Sequence, residues 1–264
     1  KKINPKNILV RFLFFLEKYL YLKSDSIVTV MANSIEYIGN KAGDLNKVNY
    51  IPNGIDPPDL KNVILPDYAS HCRDFIKELR KHSFVFGYAG SIGEINAMEM
   101  VIDSALFLEK SDISLVIIGE GSKKDVLKKK VLELNLSNIF FFNFIDKTYI
   151  PLILSEFNAC FISWHDTSLY KSGTSPNKIY EYMYAGKPIL QALSHSGSII
   201  DICRCGFTVE AGNPKAFAEG MKTMALLDDD TLGMMGNNGK QIVEENFIYS
   251  KLIQDYIKIL VQER

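Results

Sequence analysis

The sequence predicts an α/β protein with a doubly wound parallel sheet and a second, incomplete α/β unit before it. From Phe84 onward, short apolar segments typical of strands alternate with segments whose apolar residues recur at helical spacing. The central strand candidates, such as residues 114–118, are continuous apolar runs. Such runs are typical of parallel strands that helices cover on both faces. The 264 residues, 47% of them hydrophobic and 23% charged, have an ordinary globular composition.

The part of the chain before Phe84 contains fewer elements. Residues 26–31 and 48–51 predict two short strands, and a helix over about 33–41 lies between them. The pair Asn53-Gly54 marks a tight turn, and a helical pattern follows at about 68–81. We therefore interpret residues 1–55 as one unit and residues 56–83 as a linker to the next.

The part of the chain from residue 84 to 245 forms the larger predicted unit. Its strands are expected at residues 84–89, 114–118, 139–142, 159–163, 188–192 and 207–209, and its helices at 97–108, 123–134, 149–157, 178–184 and beyond Pro214. Open sheets of this kind bind ligands at the carboxyl ends of their strands. Residues 246–264 are expected to form a helix that packs back on the first unit.

Composition narrows the function classes. The chain carries 30 Lys and Arg against 31 Asp and Glu, and this balance argues against nucleic acid as a partner. Its four cysteines have irregular spacing, which predicts reduced packing residues and a cytoplasmic location: Cys72, Cys160, Cys203 and Cys205. Metal-ligand spacing of His, Asp and Glu is missing from the sequence, so we expect no metal site.

An apolar helix is predicted over about residues 8–22. Arg11, Glu17 and Lys18 interrupt the apolar run, which makes it a poor membrane span. A helix that is apolar on most sides is either buried or lies on a membrane surface. We favour burial.

Gly90, Ser91, Ile92 and Gly93 follow the first strand of the larger unit. A glycine turn between a strand and a helix can present backbone amides to a phosphate. The segment matches neither of the established glycine-rich phosphate motifs. A tight structural turn therefore explains it equally well.

The stretch around residue 178 is the most informative. Thr174, Ser175 and Pro176 set up a helix start, so the amides of Asn177 and the two residues after it, Lys178 and Ile179, lie at the positive end of a helix dipole. The short hydroxyl of Ser175 can join the same anion site.

Lys178 opposes the helix dipole and costs stability, and a residue that breaks a local rule is a candidate for function. Glu181 lies three residues on, on the same side of the helix, and its carboxylate can accept two hydrogen bonds from a ribose diol. The alternative interpretation is an ordinary helix start with a Lys178–Glu181 ion pair.

The segment from Ser175 to Ile189, SPNKIYEYMYAGKPI, resembles the donor-site signature of family-four glycosyltransferases, above all of bacterial enzymes that build surface polysaccharides. Three shorter segments resemble further landmarks of that family in the right order: IPNGID at 51–56, YAGSIG at 88–93 and IIGEG at 117–121. The resemblance covers about residues 17–260.

The resemblance implies a GT-B architecture, in which two Rossmann-like domains face each other across a cleft. The C-terminal domain of such enzymes binds the nucleotide-sugar donor, the N-terminal domain binds the acceptor, and catalysis is metal-independent with retention at the anomeric carbon. Carried over to this sequence, Glu181 binds the ribose, Asn177 and Lys178 lie at the diphosphate, and residues 90–93 close over it. Phe144 and Ile145 lie beside the base.

The sequence departs from the family pattern at two places. The first glutamate of the family's paired motif is replaced by Gly173, which leaves the donor sugar open. The basic residues that usually follow the glycine loop are missing, because residues 91–98 contain no Lys or Arg. Lys178 is therefore expected to carry more of the diphosphate charge.

Other candidates have simpler explanations. His165 and Asp166 follow a strand near the cleft, where a general-base role is open but a surface loop is favoured. The same applies to His195 and His82. Trp164 is expected in the core.

The resulting expectation is a retaining glycosyltransferase that moves a hexosyl or N-acetylhexosaminyl group from a nucleotide-sugar, a UDP-sugar by preference. The acceptor is a polysaccharide or a lipid-linked saccharide at the inner face of a membrane, and no cofactor other than the donor is needed. Two alternatives are a nucleotide-sugar epimerase of the same architecture and a non-catalytic binding module. The resemblance implies that residues 1–55 are only the C-terminal part of the acceptor-side domain. Because the chain also begins with Lys1, we expect further chain before it, and weak transfer by this chain alone.

Overall fold

A six-stranded parallel sheet forms the centre of the larger part of the molecule. The computed structural model describes residues 6–61, 63–108, 111–167, 170, 174–194 and 197–262. The strands are β3 (Phe84–Ala89), β4 (Ile113–Ile118), β5 (Ile139–Phe142), β6 (Ala159–Ser163), β7 (Ile189–Ala192) and β8 (Gly206–Val209). Their order across the sheet is β5-β4-β3-β6-β7-β8, and every neighbouring pair is parallel. The order reverses at β3, as in a doubly wound fold.

Side chains of each strand enter two separate cores in alternation. Val85 of β3 points into one core and Phe86 into the other, and Val116 and Leu115 of β4 divide in the same way. Both faces of the sheet are therefore buried, which explains why the strands are apolar at successive positions.

Helices cover both faces. One core includes residues of α3 (Asp67–Leu79), α6 (Ile150–Leu154), α7 (Asn177–Tyr184) and α8 (Ile199–Ile202), together with Val243 of α10 (Asp229–Asn246). The other includes residues of α4 (Met98–Ser104), α5 (Lys124–Glu133) and α9 (Pro214–Ala225). The predicted parallel α/β sheet is confirmed. The predicted linker, 56–83, contains α3, whose Cys72 and Ile76 are fully buried in the first of these cores.

The smaller unit consists of α1 (Ile8–Lys23), β1 (Ile27–Thr29), α2 (Ile35–Ala42) and β2 (Val48–Tyr50), with β1 and β2 paired in parallel. No residue of α1 is buried. Its large apolar side chains are exposed: Ile8, Leu9, Phe12, Leu13, Phe14, Phe15, Tyr19, Leu20 and Leu22. The expectation that this helix is buried is therefore wrong within the described residues, where α1 packs mainly against α2, a helix of only eight residues.

The two units are joined by the segment that follows β2. The Asn53 side chain donates to the Ser175 carbonyl over 2.7 Å. The backbone of Ile55 bonds with Phe247 (2.8 Å) and with Tyr249 (3.0 Å), the first residue of the last helix, α11 (Tyr249–Gln262). Gly54 permits this approach, since a Cβ there would lie 2.5 Å from the Phe247 carbonyl oxygen.

Several element boundaries differ from the predicted ones. Helix α4 is shorter than expected, because Ala97 takes a left-handed backbone conformation (φ 43°) and the chain continues as a 3-10 turn after Ser104. The four-residue helix α8 was not predicted. Gly186, which follows the C-cap residue of α7, has φ 67°, a left-handed conformation that glycine adopts readily at a helix end.

Candidate functional site

The loops at the carboxyl ends of β3, β4 and β5 surround a pocket of about 320 Å³. Its lining includes Gly90, Ser91, Gly119, Phe144, Ile145 and Glu181. The residues come from separate parts of the sequence, and the parallel sheet brings them to one edge. This edge is where the fold places ligands.

The two glycine loops contact each other directly. A Cβ on Gly119 would lie 1.9 Å from the Gly90 carbonyl oxygen, and one on Gly121 would lie 2.3 Å from that of Ile92. The Ile92 amide donates to the Glu120 carbonyl over 2.9 Å, and the Ile92 side chain is fully buried. The loop is thus held rigidly in front of the pocket, with Gly90 and Ser91 facing it.

The side chain of Lys178, which lies in the first turn of α7, extends to the loop that follows β3. Its ammonium donates to the Tyr88 hydroxyl over 2.5 Å and lies 4.1 Å from the centroid of the Tyr88 ring. A Cβ on Gly90 would lie 2.8 Å from Lys178 Nζ. Within the described residues no carboxylate lies within 4.0 Å of that nitrogen. Burial lowers the pKa of Lys178 to about 8, against a smaller opposing effect of Glu181.

Lys178 is the second residue of α7, and the first turn of this helix forms the next part of the site. Pro176 is the N-cap residue and supplies no side-chain hydrogen bond to the first amides. Asn177, the first helical residue, is exposed. An anion can therefore approach the helix at Asn177, whereas the Ile179 amide, which was predicted to be available as well, donates to the Pro176 carbonyl over 3.2 Å.

Glu181 pairs with a residue that the sequence did not single out. Its carboxylate lies 3.0 Å from the ammonium of Lys147, whose side chain is 79% exposed. The alternative Lys178–Glu181 ion pair is not formed, because Lys178 turns toward Tyr88. Lys147 lies between the pocket and a second cavity of about 430 Å³, and both cavities include Glu181 in their lining.

A buried lysine shapes the side of the pocket that carries Phe144. Lys124, at the start of α5, donates to the Glu120 carboxylate (2.6 Å), the Phe142 carbonyl (3.1 Å) and the Asn143 side chain (2.8 Å). These bonds join the ends of β4 and β5, so Lys124 fixes the loop that leads to Phe144. From the sequence, Lys124 was only one of several lysines near the start of a predicted helix.

The structure brings together part of the predicted set. Gly90, Ser91, Phe144, Ile145 and Glu181 line one pocket, and Lys178 lies beside Gly90. Thr174, Pro176 and Ile179 instead line a smaller cavity of about 90 Å³ that also includes Tyr50 of the small unit.

Two further predicted residues lie away from the pocket. Gly93 lies in a separate crevice with Lys123 and His165. Ser175 is half-buried with its hydroxyl oxygen shielded from solvent, and its carbonyl accepts the bond from Asn53.

The remaining candidates have structural explanations. His165 is exposed and its Nε2 lies 2.5 Å from the Glu94 carbonyl oxygen. Trp164 is buried, as predicted. Gly173 and His195 lie outside the described residues.

All four cysteines are free thiols. In the described part of the chain, no group of three or more His, Cys, Asp and Glu side chains is placed to hold a metal ion. Among the described helices, none combines the length and the apolar character that crossing a bilayer requires.

The fold has structural counterparts among glycosyltransferases. The crystal structure of HepE from Anabaena in complex with UDP matches with a TM-score of 0.76 at 18% identity, covering 98% of this chain and 70% of that one. A glycosyltransferase from Rickettsia africae matches with a TM-score of 0.74 at 16% identity, covering 93% of this chain and 66% of that one. The architecture is therefore that of a GT-B glycosyltransferase.

The sequence itself defines the family. Residues 73–242, more than half of the chain, match the family model for glycosyl transferases group 1, and the chain belongs to that family. WbjE of Pseudomonas aeruginosa, named as a probable glycosyltransferase, is 22% identical over 260 residues.

A second curated relative comes from Campylobacter jejuni. It is named as a 4-alpha-N-acetylgalactosaminyltransferase acting on a diphospho-undecaprenol-linked saccharide and is 25% identical over 253 residues. The chain is covered to 93% and 94% in these two matches and spans only 60% and 63% of the relatives' own lengths.

Proposed function

We propose that the chain is the donor-binding part of a retaining glycosyltransferase that uses a nucleotide-diphospho-sugar, a UDP-sugar by preference. One observation carries the proposal. A lysine that contacts no carboxylate of the described residues is held between a glycine loop and a helix start, beside a pocket that also holds Glu181. A half-buried cation whose ammonium contacts no carboxylate has lost much of its solvation, and an anionic ligand would provide the missing charge.

We propose specific contacts for the diphosphate, the ribose and the base of the donor. The diphosphate lies at Lys178, the amides of α7 and the Gly90–Ser91 backbone. The ribose diol bonds to Glu181, and the base lies between Phe144, which is 62% exposed, and the buried Ile145. The crystal structures of HepE with UDP and with UDP-glucose support the choice of a uridine nucleotide.

The proposed catalytic contribution is electrostatic and positional. As the bond to the sugar breaks, negative charge grows on the departing diphosphate, where Lys178 and the α7 amides already point. The cleft between the two units holds the acceptor against the donor. We assign no general acid or base, and the proposal requires no metal or cofactor besides the donor.

The proposed acceptor is a polysaccharide or lipid-linked saccharide, and the transferred group a hexose or N-acetylhexosamine. The name of the C. jejuni relative supports both. We place the reaction in the cytoplasm at the inner membrane face, because the exposed aromatic side chains of α1 are interspersed with Arg11, Lys18 and Lys23.

The test is incubation of the purified chain, and of the chain completed with a relative's acceptor-side domain, with a panel of nucleotide-sugars. Release of nucleoside diphosphate, weak for this chain and acceptor-dependent for the completed one, is the expected result. A changed sugar without release would instead identify an epimerase. Binding without turnover by both proteins would identify a binding module.

A further inference from the structure

The ammonium of Lys178 is not held by α7 alone. Tyr88, the fifth residue of β3, accepts its hydrogen bond at 2.5 Å and in turn donates to the Ser91 carbonyl over 2.6 Å. Asn96 bonds the same carbonyl through its amide nitrogen (2.8 Å), and its oxygen lies 3.5 Å from Lys178 Nζ. Lysine and glycine loop are thus joined through two intervening side chains.

The Tyr88 hydroxyl has a defined orientation in this arrangement. A phenol carries one proton, and that proton is used by the Ser91 carbonyl. The oxygen is therefore left to accept from Lys178. Tyr88 is fully buried, and burial raises its pKa far above the ordinary value, so the hydroxyl stays neutral at any working pH.

The charges around Lys178 are few. From β3 it faces the neutral Tyr88, from the following loop the neutral Asn96, and along α7 the carboxylate of Glu181. Glu181 is itself bonded to Lys147. Glu181 therefore favours the protonated form of Lys178 without touching it, and the Tyr88 oxygen is the acceptor that the ammonium contacts directly.

We propose that Tyr88 is a positioning residue for the donor: its hydroxyl holds the Lys178 ammonium beside the glycine loop and so couples diphosphate binding to protonation of Lys178. The inference rests on the proposed function and deepens it. Tyr88→Phe would keep the ring but would leave the ammonium without its acceptor and the Ser91 carbonyl without one of its two donors.

The direction in which donor affinity changes with pH follows from the pKa of Lys178 before the donor binds. Burial lowers the Lys178 pKa to about 8, and a bound diphosphate raises it again. Donor affinity is then constant below about pH 8 and weakens above it by up to about tenfold per pH unit. Removal of the Tyr88 hydroxyl lowers the free-state pKa further, so the weakening starts at lower pH.

The experiment is calorimetric binding of UDP and of uridine between pH 6.5 and 9.5. Wild type and Tyr88→Phe are compared. We expect Tyr88→Phe to bind UDP about tenfold more weakly at pH 8, the size of one lost bond to a charged group. Its affinity for uridine, which lacks the diphosphate, is expected to be unchanged, and its pH midpoint to move down.

Tyr182→Phe is the matched control. The Tyr182 hydroxyl is also buried and bonds the backbone of Ala89 in the same strand, but it does not touch Lys178. We expect this variant to unfold at lower temperature and to keep the wild-type pH midpoint for UDP. If Tyr88→Phe keeps both the affinity and the midpoint of wild type, the inference is wrong and the proposed function stands.

Two further outcomes are decisive. If wild type binds no UDP at any pH, the proposed function and the inference fall together. If Tyr88→Phe does not fold, NMR titration of Cε-labelled lysine in wild type replaces it, with Lys178→Arg to assign the signal. A Lys178 midpoint near pH 8 that UDP raises supports the coupling of diphosphate binding to Lys178 protonation, and a midpoint that UDP leaves unchanged overturns the inference.

Discussion

Lys178 shows how a site residue can be unfavourable for the fold that carries it. It adds positive charge to the positive end of α7, and its half-buried side chain places the ammonium against Tyr88 and Gly90. The depressed pKa of Lys178 reflects this cost. A bound diphosphate would raise the pKa of Lys178 instead, because it stabilises the charged ammonium.

Lys178→Met is therefore expected to raise the free energy of unfolding at pH 7, by about 1–3 kcal/mol. The folded pKa of about 8 lies below the ordinary 10.5. Between these values the unfolded wild type binds more protons, so wild-type stability rises with pH and the advantage of the variant shrinks. Urea unfolding at pH 7 and pH 9.5 checks this. Equal destabilisation of the variant at both pH values would show that Lys178 is only a packing residue.

Glu181 and Lys147 offer a second residue-scale prediction. Glu181→Gln is expected to weaken UDP binding about tenfold, because the amide has one acceptor oxygen where the carboxylate has two and no charge. Lys147→Met is the control, since a bridge to a 79% exposed lysine contributes little. Its UDP affinity should stay within about threefold of wild type, and pyrophosphate binding should be unaffected in both. A larger loss in Lys147→Met would reverse the assignment.

At the scale of elements, two glycine loops and one helix start form the site. Gly119 has φ 145°, and the space for a Cβ is taken by the Gly90 carbonyl. Loops after β3 and β4 can approach this closely only because neither carries a side chain at the contact. The close packing of the two loops therefore explains why Gly90 and Gly119 are glycines, in addition to their place in the lining of the pocket.

Gly119→Ala is expected to destabilise the protein by at least about 2 kcal/mol, through a strained backbone and a clash with Gly90. Gly233→Ala is the matched control. Gly233 is an exposed residue inside α10, and no described atom outside its own helix turn lies within 4 Å of the point that a Cβ would occupy. Alanine should therefore stabilise the helix by about 0.5–1 kcal/mol. Thermal unfolding of both variants separates the two effects, and similar shifts in the same direction would contradict the close-contact explanation.

Most of the strands and helices could be predicted from the sequence. The strands were visible because both faces of the sheet are buried, which makes residues such as 114–118 continuously apolar. Helix α8 was missed because four residues are too few for a periodic pattern. Tyr88 and Lys147 were missed because their contacts join positions 90 and 34 residues apart in the chain. Such contacts depend on the sheet order, and local patterns carry no information about it.

At the scale of the whole molecule, the smaller unit exposes more apolar surface than a folded unit usually does. Phe12 and Phe15 of α1 are 54% and 64% exposed. The proposed membrane contact explains this surface, and basic side chains on the same helix suit anionic lipid.

The double variant Phe12→Glu, Phe15→Glu is expected to lower binding to vesicles with anionic phospholipid at least tenfold, because it removes aromatic contact and adds repulsion. Co-sedimentation measures it. Leu226→Glu is the control: Leu226 is 87% exposed but lies beyond α9 in the larger unit, so vesicle binding should not change. Wild type that stays in the supernatant would contradict the membrane contact.

The pocket beside Lys178 is the proposed binding site of a nucleoside diphosphate, and the proposals about the donor, the transfer reaction and Tyr88 depend on it. Its most direct test is isothermal calorimetry of UDP against wild type and Lys178→Met at pH 7. We expect one site per wild-type chain and an affinity at least about tenfold weaker in the variant, the effect of losing a charge-assisted contact. Equal affinity of the two proteins, or no UDP binding by wild type, would contradict this assignment.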